Sequence, residues 1–358
     1  MHPMFKNFYF LFWILLSFTA TSGFGPQNPK NWCVIVGSAY FDDQPTMMTK
    51  ELPAYGRVQA QCASTCWLYA EHTATEIRMS TKKGESIELS SNYSVATNLS
   101  LAIVDSIIQG RFKESFFDAG GWAENYRRAA MHRGVRPRDS QEQDISAATW
   151  RTIETEAWTI GDHYRRLYKA ASNESKQAIL KRAENELFLL ITKKGNISTG
   201  NIQFGDSTLT PLDFYRQYDI KHDRPFVTIA STFVPNNFTS NFDAAPFPKV
   251  VAQNENKVEN LELIKQRINH GVPVLVSFNS WRPTFENLKR AGYLGANQNG
   301  PSSKETAAHL IVLVGYKEKD GNIVAFKFRN TWGKERGNNG DFYMSAETFK
   351  LAANSIYE

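Results

Sequence analysis

The sequence predicts an α+β fold in which a helical lobe precedes a β-rich lobe, with a cleft between the two. Apolar residues at helical spacing dominate the chain before about residue 222, and short β-rich runs separated by Gly, Asn and Asp dominate it afterwards. A length of 358 residues suits one large or two modest domains and is ample for a buried core.

The composition excludes several functional classes. The chain is 42% hydrophobic and 22% charged, which is ordinary for a soluble globular protein. Its net charge of +5 is spread without a basic block, so nucleic acid is not an expected partner. No His/Cys cluster has metal-ligand spacing and no Gly-rich phosphate loop is present, so no metal or organic cofactor is predicted.

The first 22 residues are typical of a signal peptide. Lys6 precedes an apolar run over Phe8–Phe18, and Ala20 begins a small-residue cleavage site. An uncleaved anchor or a buried strand is the alternative. We expect a secreted or otherwise exported protein, extracellular or periplasmic, that starts near Gly23 and makes no membrane contact after cleavage.

The predicted helices lie in the first half of the chain. Ser64 and Thr65 are candidate N-caps for a helix that begins at Cys66, and residues 88–112 also have helical spacing. Further helices are predicted over 121–133, with Gly134 as the stop, and as a helix pair within 147–194. The outer faces of this pair are expected to be solvated, with a partner surface as the alternative. We therefore assign 51–139 to the helical lobe and 140–222 to a helical insertion.

The remaining residues, 223–358, are assigned to the β-rich lobe. The β-rich runs are Val227–Ala230, Val272–Phe278, Leu310–Val314, Ile323–Phe328 and Phe342–Met344.

Cys66 is a candidate nucleophile because it lies at a predicted helix start. A thiol attacks a carbonyl as the thiolate, which the positive end of a helix and a nearby histidine both favour. Three cysteines remain in the chain, so a Cys33–Cys62 disulfide with Cys66 free is the simplest pairing, and three unpaired thiols are the alternative.

Two later residues complete the expected chemistry. His309 stands at the head of a buried strand in AAHLIVLVGY, where it can be aimed across a cleft. Asn330, in FRNTWGKERGNNGDFYM, offers a side-chain carbonyl that would fix the tautomer of the imidazole. Trp332 would shield that hydrogen bond from water.

An oxyanion needs two hydrogen-bond donors. The backbone N–H of Cys66 supplies one. A glutamine side chain just upstream would supply the second, with Gln59 preferred and Gln61 as the alternative.

These segments resemble the papain superfamily of cysteine peptidases. GRVQAQCASTCW is similar to the family's Gln-to-Cys-Trp block, and the two later segments are similar to its His and Asn blocks. Three further segments, IELSSNYSVA, DAGGWAENYRRAAMHRGVRP and TPLDFYRQY, resemble the bleomycin-hydrolase-like branch in the same order, as does the helical block at 140–215.

The resemblance implies a papain-like two-lobe fold, with a helical lobe, a β-barrel-like lobe and a helical insertion. It implies that Cys66 is the nucleophile, His309 the general acid/base and Asn330 the orienting residue, supported by Trp67 and Trp332. It implies that Gly120 and Gly121 bind the backbone of an extended peptide, a plain loop being the alternative. Residues 23–50 would then hold any prosegment, which is short.

The resulting prediction is a secreted peptidase that hydrolyses peptide bonds through an acyl-enzyme. The expected partner is a peptide or protein substrate, and a monomer is favoured. The alternatives are an acyl transferase or amidase with the same triad, and an inactive papain-like scaffold that binds a protein.

Overall fold

The computed structural model describes residues 48–53, 57–61, 64–110, 116–117, 121, 123–218, 226–231, 252–254, 261–279, 293–294, 308–335, 338–346, 349 and 353–357. The predicted signal peptide, Cys33, Cys62 and Gly120 lie outside these residues. Within the described part, no helix is long and apolar enough to cross a membrane.

Six of the seven helices in the described residues end before residue 219, and the seventh follows within the β-rich part. Among the described residues they are α1 (Cys66–Lys83), α2 (Ser91–Gln109), α3 (Ala123–Arg133), α4 (Ala147–Ala170), α5 (Asn173–Lys194), α6 (Pro211–Tyr218) and α7 (Leu261–Asn269). The predicted helix start at Cys66 and the predicted helix pair, α4 and α5, are present. Helices α6 and α7 were not predicted.

Local chemistry explains where these helices begin and end. The hydroxyl of Ser90 accepts a hydrogen bond from the N–H of Tyr93 at 3.0 Å and caps α2. Gly134, the predicted stop, follows α3 with φ of 77°, and an added Cβ would lie 2.0 Å from the carbonyl oxygen of Pro211. Only glycine fits this left-handed and crowded position.

The strands of the described residues form one sheet and one small hairpin. They are β1 (Lys50–Glu51), β2 (Ile202–Phe204), β3 (Ser207–Leu209), β4 (Phe226–Ser231), β5 (Ala252–Asn254), β6 (Val274–Asn279), β7 (Tyr293–Leu294), β8 (Ala308–Lys319), β9 (Asn322–Arg329), β10 (Asp341–Ser345) and β11 (Ala353–Tyr357). The sheet order in the described residues is β5-β4-β11-β6-β8-β9-β10-β7, with β1 added to β8, while β2 and β3 form the hairpin.

The register of the sheet places two predicted site residues at neighbouring strand ends. His309 is the second residue of β8, and Asn330 follows the last residue of β9. Strands β8 and β9 are antiparallel, with Val312 opposite Arg329. The beginning of β8 and the end of β9 therefore lie side by side, and α1 packs against β8.

The first and last described segments are both part of this sheet. Strand β1 pairs with β8 at Tyr316 and Gly315, so Lys50 belongs to the folded sheet. Strand β11 lies between β4 and β6, with Ala353 opposite Phe278 and Tyr357 opposite Leu275. Since Phe278 is also opposite His309, β11 starts level with His309 and runs away from it.

Candidate active site

The thiol of Cys66 lies at the first residue of α1 and next to β8. The N-cap residue, Thr65, makes no side-chain capping bond, so the first-turn N–H groups of α1 are not used by a cap. Burial raises the pKa of the Cys66 thiol, and the backbone N–H groups of Leu310, Trp67 and Cys66 itself oppose that rise. The N–H of Leu310 is the link to β8, because Leu310 directly follows His309.

The ring of His309 is fixed by a buried hydrogen bond. Its Nε2 lies 2.9 Å from Oδ1 of Asn330, and the backbone N–H of Thr331 donates to the same Oδ1 at 2.7 Å. Because a backbone N–H can only donate, the shared atom is the amide oxygen, and Nε2 must carry a proton. In the neutral ring Nδ1 is then the basic nitrogen.

Burial also controls the charge of His309. Its ring is buried, which lowers the pKa of His309 to about 4, while the bond to Asn330 acts in the opposite direction. The isolated imidazole is therefore neutral at pH 7, and burial favours the neutral thiol as well. Transfer of a proton from the thiol to the imidazole would create two opposite charges, each of which favours the other.

An aromatic ring covers the imidazole of His309. Trp332 stacks on His309 with ring centroids 4.6 Å apart and planes at 23°, and Phe342 packs edge-on against Trp332. Trp332 thus covers one face of the imidazole, as its predicted shielding role requires.

Trp67, which follows Cys66 in α1, is the second predicted supporting residue. Its indole is buried, packs edge-on against Phe116 and lies directly over Gly121. A Cβ at Gly121 would be 2.4 Å from Cε2 of Trp67, so this position admits only glycine without movement of the indole.

The two candidate glutamines flank Ala60, which forms an isolated antiparallel β-bridge with Trp332. Gln61 donates its backbone N–H to the carbonyl of Thr331 at 2.7 Å, and Gly333 donates to the carbonyl of Gln59 at 2.8 Å. The hydroxyl of Thr331 also donates to the side-chain oxygen of Gln61. The side-chain oxygen of Gln59 instead lies 3.5 Å from Nη2 of Arg57.

The structure therefore brings His309, Asn330, Trp332 and Gln61 into one contact group, with Cys66 at the adjoining helix start. Gly121 lies against the indole of Trp67. Sequence reasoning missed Thr331, which contacts both Asn330 and Gln61, although its place directly after Asn330 was a usable signal. In the described residues, no group of three or more His, Cys, Asp or Glu side chains could hold a metal ion.

Comparison with known proteins adds a family match over part of the chain and a shared fold. Residues 217–357 match the model of the papain family of cysteine proteases, a stretch that contains His309 and Asn330. No curated protein sequence matches the chain.

Solved structures resemble most of the chain. PepW from Lactobacillus rhamnosis, a bleomycin-hydrolase-like enzyme, is 15% identical with a TM-score of 0.65, covering 87% of this chain and 82% of PepW. Xylellain, a cysteine protease from Xylella fastidiosa, is 14% identical with a TM-score of 0.39, covering 88% of this chain and 90% of xylellain. The likeness to PepW shows a shared fold, and the predicted α+β papain-like fold is confirmed.

The contact between Gly121 and Trp67 yields a prediction. Gly121→Ala should force the indole beside Cys66 to move, lowering the free energy of unfolding by about 1–3 kcal/mol, as overpacking does. Thiol alkylation of Cys66 should slow with it. Chemical denaturation and iodoacetamide kinetics measure the two effects.

Gly200→Ala is the matched control, because nothing lies within 4 Å of its added Cβ. Equal behaviour of the two variants would contradict the assigned contact.

Proposed function

We propose that the chain is a papain-family cysteine protease, as the family match over residues 217–357 supports, and that Cys66, His309 and Asn330 are its catalytic triad. The observation that carries this assignment is the 2.9 Å bond from Nε2 of His309 to Oδ1 of Asn330. It leaves Nδ1 as the nitrogen that accepts the proton of the Cys66 thiol. The family match over residues 217–357 supports peptide-bond hydrolysis as the reaction.

The proposed reaction has two halves. The Cys66 proton passes to Nδ1 of His309, and the thiolate sulfur attacks the peptide carbonyl carbon. The C–N bond then breaks as His309 returns the proton to the leaving amine, which leaves a thioester on Cys66. Water, deprotonated by the same nitrogen, hydrolyses the thioester and restores the thiol. Asn330 holds the ring in one orientation throughout.

We propose Gln61 as the oxyanion donor in place of Gln59, which the sequence favours. The hydroxyl of Thr331 donates to the side-chain oxygen of Gln61 and so fixes the orientation of the amide, whose NH₂ group is the donor in this proposal. Thr331 is bonded to Asn330 as well, so this amide is tied to the triad. The backbone N–H of Cys66 is the second donor.

The remaining features of the proposal concern substrate and location. An extended peptide would pair with the backbone at Gly120 and Gly121, where side chains would obstruct it. The apolar run at Phe8–Phe18 supports export, and export would permit the Cys33–Cys62 disulfide. A monomer remains the favoured state.

Active-site labelling tests the triad. An epoxysuccinyl thiol-protease inhibitor should form one adduct on Cys66 of the wild type, and Cys66→Ala and His309→Ala should lose it. Mass spectrometry locates the adduct, and a fluorogenic peptide assay should show the same losses.

His270→Ala is the matched control, because His270 is exposed at the end of α7 and should not affect labelling. Labelling that survives in His309→Ala would rule out the proposed base. A labelled wild type that transfers its acyl group to an added amine, and cleaves no peptide, would indicate acyl transfer.

The two glutamines are distinguished by substitution. Gln61→Ala should lower kcat by about 100- to 1,000-fold, the usual effect of removing an oxyanion donor. Gln59→Ala should lower kcat less than about tenfold, since its side chain is not tied to the triad. Both variants should be alkylated at the wild-type rate. A larger loss in Gln59→Ala would restore the preference drawn from the sequence.

A further inference from the structure

A buried ion pair stands directly before Asn330. Nε and Nη2 of Arg329 lie 2.9 Å and 3.3 Å from Oδ1 and Oδ2 of Asp341, which makes the contact two-pronged. Arg329 is 7% exposed and Asp341 is 6% exposed. The two residues are register partners on β9 and β10, so the pair joins these strands at the point where Asn330 leaves β9.

The backbone around this pair is tightly folded. The N–H of Asn330 donates to the carbonyl of Gly340 at 3.0 Å, one residue before Asp341. Asn338 and Asp341 exchange two backbone bonds across a turn in which Asn339 and Gly340 have φ of 51° and 88°. Arg329 and Asp341 therefore close the base of the segment that carries Asn330, Thr331 and Trp332.

The surrounding charges show that stability alone is a weak explanation for this pair. Asp341 also lies 3.1 Å from Nζ of Lys327, which contacts Glu51 on β1. The four residues carry two positive and two negative charges. Taking such charges out of water costs about as much as their attraction returns, whereas a two-pronged Arg–carboxylate contact fixes geometry strongly.

We propose that Arg329 and Asp341 are positioning residues of the active site, which fix the base of the Asn330 segment and so aim the Asn330 carbonyl at His309. This inference rests on the proposed triad. The carbonyl must meet donors from two segments, Nε2 of His309 on β8 and the N–H of Thr331 on its own segment. A displacement of about 1 Å at such a site can reduce a rate by roughly 100-fold.

The test replaces the pair by apolar residues. Arg329→Met combined with Asp341→Leu leaves no unpaired charge at these two positions and is therefore expected to fold. In this double variant kcat should fall by about 10- to 100-fold with KM within about twofold. In an Asn330→Ala background the same two substitutions should change kcat by less than about twofold, because the group they position is gone.

A second measurement distinguishes positioning from a purely structural role of the Arg329–Asp341 pair, because loss of a purely structural contact would leave the pKa of His309 unchanged. The pH profile of Cys66 alkylation by iodoacetate, an anionic reagent that the imidazolium attracts, has an alkaline limb set by loss of the His309 proton. That limb should move to lower pH in the double variant, as it should in Asn330→Ala, since the Asn330 bond favours the charged ring. The alkylation profile needs no peptide substrate. It therefore tests the positioning role of Arg329 and Asp341 even if the protein cleaves no peptide and the proposed hydrolysis is wrong.

Arg128 and Asp105 provide the matched control. They form a second buried two-pronged ion pair, between α3 and α2, away from the Asn330 segment. Arg128→Met with Asp105→Leu should leave kcat and the alkaline limb unchanged. If the Arg329/Asp341 variant behaves like this control, or loses the same factor in the Asn330→Ala background, the proposal is wrong.

If the double variant does not fold, Arg329→Lys takes its place, since it keeps the charge and loses the two-pronged contact. A loss of kcat smaller than the 10- to 100-fold loss expected for the double variant, together with a shift of the alkaline limb to lower pH, would support the proposal. An unchanged kcat and an unchanged limb in Arg329→Lys would overturn it.

Discussion

The hydrogen bond between His309 and Asn330 is the constraint on which the rest of the site depends. It joins the start of β8 to the residue after β9, so it exists only in the register that these antiparallel strands adopt. The bond sets the tautomer of His309, and the tautomer decides which nitrogen can take the thiol proton. Trp332 covers the ring, and Thr331 shares the amide oxygen.

Burial gives this arrangement its chemical character. The half-buried thiol of Cys66 and the buried imidazole of His309 each favour the neutral form. Moving one proton from sulfur to nitrogen creates two charges that stabilise each other, aided by the N–H groups at the start of α1. The site is thus suited to moving a proton within the pair rather than exchanging it with solvent.

Short sequence motifs predicted much of the active site. The start of α1 at Cys66, the strand after His309 and the position of Asn330 follow from short motifs and hydrophobic patterning. Contacts between distant segments did not follow. The Gln61–Thr331 contact spans 270 residues, and the Arg329–Asp341 pair depends on the turn that sets the β9–β10 register. Strand β11 was missed because its short sequence gains its partners only from β4 and β6.

The most direct test of the central bond is nitrogen NMR of the His309 ring in Cys66→Ala, where no thiolate can stabilise the charged ring. We expect one tautomer at pH 7, protonated at Nε2, with titration far below the usual histidine range and close to pH 4. Adding Asn330→Ala should allow both tautomers. A His309 ring protonated at Nδ1, or one that titrates at about pH 6.5 with and without Asn330, would contradict the account.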